Sequence, residues 1–73
     1  MSHRIPPKLI TPPLVVVIAV RQLLAREGLA RTAQLLGIGS HTVQRFRGGL
    51  PVHRGTYLVV RAALAPLAPE VHP

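Results

Sequence analysis

The side chains with the most chemistry to offer in this 73-residue chain lie in one short stretch, Ser40 to Arg47, SHTVQRFR. Ser40, His41, Gln44 and Arg45 bring a hydroxyl, an imidazole, an amide and a guanidinium to a segment with helical spacing. That set can read base-pair edges. Arginine forks onto guanine N7 and O6, glutamine onto adenine N6 and N7, and serine or histidine completes contacts to several edges. Val43 and Phe46 stand at i and i+3, so they share a buried side and leave the polar residues for other directions. These four residues are candidate base readers, and Thr42 and Arg47 are candidate phosphate contacts.

Catalysis has no comparable cast. The chain has no Asp and no Cys, and its two carboxylates, Glu27 and Glu70, lie far apart, so paired acid and base chemistry has no members. His3, His41, His53 and His72 lack the i, i+4 spacing of a helical zinc pair. The expectation is a protein that is not an enzyme and needs neither metal nor cofactor. No glycine-rich phosphate loop or internal repeat is present, and so little chain lies outside the reading elements that no small-molecule effector is expected.

The elements that must position these side chains span Leu29 to Gly48, LARTAQLLGIGSHTVQRFRG. This reads as two short helices, 30–36 and 40–47, joined by a sharp glycine turn. Ala33, Leu36, Ile38, Val43 and Phe46 face a shared core, and a methyl at Ala33 lets the second backbone approach. Gly37 sits where the first helix must stop in the left-handed region, a conformation cheap only for glycine.

With Leu29 as first position, the stretch resembles the helix-turn-helix of phage repressors and Cro proteins: alanine fifth (Ala33), glycine ninth (Gly37), an aliphatic tenth (Ile38), a β-branched fifteenth (Val43) and an apolar eighteenth (Phe46). The run GIGSHTVQRF also resembles the DNA-binding end of serine invertases and resolvases, and Thr42, Val43 and Arg45 are similar to the lactose-repressor type. Gly39 takes the eleventh position, where such motifs often carry serine, and Ser40 stands ready to cap in its place. The resemblance implies an all-α, compact four-helix domain of the lambda-repressor-like kind that binds duplex DNA sequence-specifically with its second motif helix in the major groove. It implies a small transcription regulator, such as a repressor, of a bacterium or its phage. A cytoplasmic, nucleoid-associated place follows from that partner.

Charge agrees with such a partner. Nine Lys and Arg oppose two acids for a net charge of +7, and a small domain that basic seeks a polyanion. Arg31, Thr32 and Gln34, near the start of the first motif helix, are phosphate candidates, as are His53 and Arg54 ahead of the last helix. The chain's length allows one domain, with roughly 60% of its unfolded surface buried, so a partner subunit is expected to help. The apolar run 14–20 is far shorter than the ~18–20 residues that span a bilayer, and no membrane association is expected. Because Arg21 and Arg26 follow at once, a secretory signal is not expected either.

Three segments follow. Residues 1–11 read as a basic flexible arm, in which Arg4 and Lys8 are candidates for the minor groove. Residues 12–65 form the helix-turn-helix domain, and 66–73 a proline-rich tail. The first helix is expected to start with Thr11 as N-cap ahead of Pro12 and Pro13 and to run to Glu27 before Gly28. LVVVIAV has strand propensity too, but RQLLARE continues it at helical spacing. Leu14, Val17, Ile18, Val20 and Leu24 make the expected inward face. Val15, Val16, Ala19 and Leu23 are then left over and, with Leu58 and Val59 of a last helix 55–65, become the expected homodimer seam. In that last helix Tyr57, Val60 and Leu64 close the core, and Pro66 is expected to stop it. The other readings left open are a DNA architectural or recombination accessory protein and a protein-interaction adaptor using the motif as a docking platform.

Overall fold

A computed structural model describes residues 9–67. Four helices, α1 (Leu14–Glu27), α2 (Leu29–Leu36), α3 (Ser40–Arg47) and α4 (Arg54–Leu67), carry most of the described chain. Two short strands, β1 (Leu9–Ile10) and β2 (Val52–His53), complete it. The all-α expectation therefore holds for the bulk of the fold. The arm candidates Arg4 and Lys8 and the tail beyond residue 67 lie outside the described residues.

The start of α1 differs from the sequence reading. Thr11 is exposed and the helix is capped at Pro13 without a side-chain hydrogen bond; the Val16 and Val17 amides donate to the Pro13 carbonyl at 3.0 and 3.1 Å. A residue before proline is driven out of the α region, so Pro12 cannot be helical while Pro13 follows it, and the helix waits for Leu14. At the other end a single residue, Gly28 at φ 83°, joins α1 to α2. Its amide closes α1 on the Leu24 carbonyl, and its own carbonyl accepts the Thr32 amide to open α2.

Helix α2 ends as anticipated. Gly37 adopts φ 70° and ψ 30°, its amide donates to Gln34 and the Ile38 amide to Ala33, which satisfies two carbonyls the helix end would orphan. The same device closes α3, where Gly49 (φ 70°) donates to Phe46 and Leu50 to Arg45. Gly39 rather than Ser40 is the N-cap of α3, so Ser40 is helical and its hydroxyl is not the cap.

The core is built from Val16, Val20, Leu36, Val43, Phe46, Val60 and Leu64, all 0–1% exposed, with Leu23, Ala19, Ala33 and Val52 around them. Helix α1 packs on α2 and α3, and α2 also packs on α4. Two expectations for α1 are thereby corrected. Leu14 and Ile18, placed inward by the sequence reading, are exposed, while Val16, Ala19 and Leu23, assigned to a dimer seam, are buried within the chain's own core. The reason is periodic: Leu14, Ile18 and Gln22 lie on one i, i+4, i+8 line, so the polar second half of α1 marks as outer the stripe its apolar first half hides.

The strands are a further departure. Leu9 and Ile10, read as part of an arm, pair antiparallel with His53 and Val52. Helix α4 then starts directly at Arg54 and runs through Pro66 to Leu67. Pro66 gives up its own amide donor and crowds the Ala62 carbonyl one turn earlier, yet it lies one residue from the described helix end, where few bonds are affected.

Candidate nucleic-acid interface

Helices α2 and α3 pack against one another across the three-residue turn Gly37–Gly39. Val43 and Phe46 are fully buried, which orients the rest of α3. Ser40, His41, Gln44 and Arg47 are exposed, whereas Thr42 and Arg45 are half-buried. Three of the four candidate base readers thus share an open surface with nothing of the described chain over it.

Arg45 behaves differently. Its Nε and Nη2 both donate to the Pro51 carbonyl, at 3.1 and 2.7 Å. One edge of the guanidinium fork is therefore spent on the loop after α3, leaving three N–H groups, two on Nη1 and one on Nη2. Arg45 is first a brace for that loop, and only the far end of its fork can meet a base or a phosphate. Nothing in the local sequence signals this, because the acceptor is a backbone carbonyl six residues on.

The phosphate candidates divide in the same way. Arg31, Gln34, Arg47, His53 and Arg54 are exposed, with Arg31 and Gln34 linked by a long 3.4 Å hydrogen bond on the outer face of α2. Thr32 does not belong with them. It is 0% exposed and its hydroxyl has no hydrogen-bond partner among the described residues. With α2 starting at Leu29, Thr32, Ala33 and Leu36 form its buried side, so a phosphate cannot reach Thr32. A contact the sequence reading missed ties α1 to this surface: Arg21 Nε donates to the Arg47 carbonyl at 2.9 Å. A cation on the final carbonyls complements the negative end of the α3 dipole and fixes that end of the helix against the core.

Beside α3 lies a cavity of about 300 Å³. His41, Thr42 and Arg45 of α3, Leu9 and His53 of the strand pair and Thr56 of α4 line it. No carboxylate does. The sole acid among the described residues is Glu27, at the far end of α1 in an exposed ion pair with Arg26 at 3.6 Å.

No family model, curated protein or solved structure matches this chain. Among the described residues no group of three or more His, Cys, Asp or Glu is arranged to hold a metal ion. No described helix is long and apolar enough to cross a membrane.

Two exposed apolar sets remain. On α1, Leu14, Val15 and Ile18 are 69, 43 and 42% exposed; on α4, Leu58 and Val59 are 50 and 51% exposed. Of the residues expected at a dimer seam, Val15, Leu58 and Val59 are thus exposed, and Leu14 and Ile18 are exposed beside Val15.

Proposed function

We propose that this protein binds double-stranded DNA sequence-specifically, with α2 and α3 acting as a helix-turn-helix and α3 entering the major groove. The observation that carries the reading is the split of α3: Val43 and Phe46 have no exposed surface, while Ser40, His41, Gln44 and Arg47 project from the opposite and flanking sides. Gln44 and Ser40 take the direct base contacts, while His41 and the end of the Arg45 fork not held by Pro51 line the cavity beside α3 and serve phosphate. Arg47, Arg31, Gln34 and Arg54 hold phosphates and set the register of α3 in the groove. The net charge of +7 supplies attraction that acts on any sequence.

A homodimer is part of this proposal. Leu14, Val15 and Ile18 or Leu58 and Val59 give a second subunit apolar surface to bury. Two copies would set their α3 helices in successive major grooves, about 34 Å apart, and prefer a two-fold symmetric site. Such a protein fits the role of a small transcription regulator working at the nucleoid.

Selection of bound sites from a random duplex pool, followed by a salt series on the selected site and on scrambled duplex, tests the reading. A short symmetric consensus with a steep fall in affinity as salt rises supports it. Equal binding to every duplex points to an architectural or recombination accessory role. No binding to any duplex at low salt overturns it and leaves the protein-docking role for the same surface.

A further inference from the structure

We propose that the cavity between α3, the strand pair and α4 is a binding site for a phosphate group carrying a sugar-sized substituent. Its walls hold the polar side chains of Arg45, His41, His53, Thr42 and Thr56 beside the apolar Leu9, Pro51 and Val52, which suit the sugar end of the ligand, and no carboxylate is among them. Arg45 is held in place by the Pro51 carbonyl, so its three remaining N–H groups are pre-positioned and lose little freedom on meeting an anion. His41 and Thr42 stand in the first turn of α3 and Thr56 in the first turn of α4, which sets the positive ends of two helix dipoles in the wall as well. A metal cation is disfavoured by the same guanidinium. The volume of about 300 Å³ exceeds a bare phosphate and is at the lower end for small-molecule sites, which suits a phosphate with its attached sugar.

Leu9 and His53, paired across the two strands, form one wall of this space, so β1 folding back onto β2 contributes to the site. The phosphate has two possible sources, a phosphodiester of the duplex lying along α3 or a free sugar phosphate. Only the first rests on the DNA-binding reading; the site itself does not.

Two measurements on the full chain decide the matter. Ribose 5-phosphate and inorganic phosphate are titrated while the imidazole resonances of His41 and His53 are followed by NMR, with ribose as the uncharged control. In parallel, the wild type and a His53→Gln, Thr56→Val variant are compared for binding to a selected duplex and to scrambled duplex. Both substitutions lie off α3, so the base-reading residues are untouched. If the duplex supplies the phosphate, the variant binds both duplexes several-fold more weakly with the preference between them unchanged. If a free sugar phosphate is the ligand, both imidazoles shift with ribose 5-phosphate at lower concentration than with inorganic phosphate, do not shift with ribose, and the variant loses the shift at His41.

Immobile resonances together with unchanged duplex affinity overturn the proposal. A wild type that binds no duplex but shows the sugar-phosphate shifts removes the DNA reading and leaves this site standing. Should the double variant lack a thermal unfolding transition, His53→Gln alone, at an exposed position, carries the same comparison.

Discussion

Replacing Thr32 with valine should make the protein more stable, although threonine there looks from the sequence like a surface contact. Thr32 is 0% exposed and its Oγ1 has no partner among the described residues. An unsatisfied buried hydroxyl costs about 1–3 kcal/mol, and exchanging it for an apolar group of the same shape removes that cost. Valine matches threonine in shape and β-branching and differs little from it in helix propensity, so no backbone term offsets the gain. We expect a net stabilisation of about 1–2 kcal/mol. For a domain of this size each kcal/mol moves the melting temperature by roughly 4–8 °C, so the transition should rise by about 4–16 °C. Thermal and urea unfolding followed by far-UV circular dichroism measures it directly. Thr32→Ser, which keeps the hydroxyl and deletes the methyl, should fall below the wild type by about 0.5–1.5 kcal/mol, giving the order valine, threonine, serine. A valine variant less stable than the wild type would show that the hydroxyl has a partner and refute the reasoning. If duplex affinity dropped in a fully folded Thr32→Val protein, the residue would have to face the DNA after all.

Gly37→Ala should cost about 1 kcal/mol in urea unfolding; no atom crowds the added Cβ, so the loss comes from the positive φ alone. Phe46→Ala, which empties the centre of the core, should cost about 3–5 kcal/mol and leave little folded protein at room temperature by circular dichroism. In competition binding, Gln44→Ala should lose about 1–3 kcal/mol on the selected site and relax one base position, whereas Arg47→Ala should weaken all duplexes alike and reduce the salt slope by about 1. Ile18→Glu combined with Leu58→Glu should convert a dimer to monomer in sedimentation, with ordinary circular dichroism; an unchanged sedimentation profile would remove both patches from the dimer proposal.

Part of this protein was legible from neighbouring residues. The ends of α2 and α3 could be placed because a left-handed cap is a local demand that Gly37 and Gly49 meet with no help from distant parts of the chain. The inward pair Val43 and Phe46, and with it the outward set on α3, follows from helical spacing alone. So does the stripe Tyr57, Val60 and Leu64, in which Val60 and Leu64 are fully buried and Tyr57 packs at the edge.

What the sequence could not announce involves partners far along the chain. The first two turns of α1 are apolar on all sides, so local pattern permits several inward faces, and packing against α2 and α3 selects Val16, Ala19, Val20 and Leu23. Two-residue strands carry too little alternation to be seen, and β1 exists only because residues some forty positions later offer it an edge. Arg45 and Arg21 have identical chemistry to any exposed arginine until the Pro51 and Arg47 carbonyls arrive beside them. Local hydrogen bonding and helical period act within a few residues, so the sequence determined the caps and the faces of the short helices. The rotation of α1, the burial of Thr32 and the cavity beside α3 depend on which surfaces meet, and only the tertiary structure decided them.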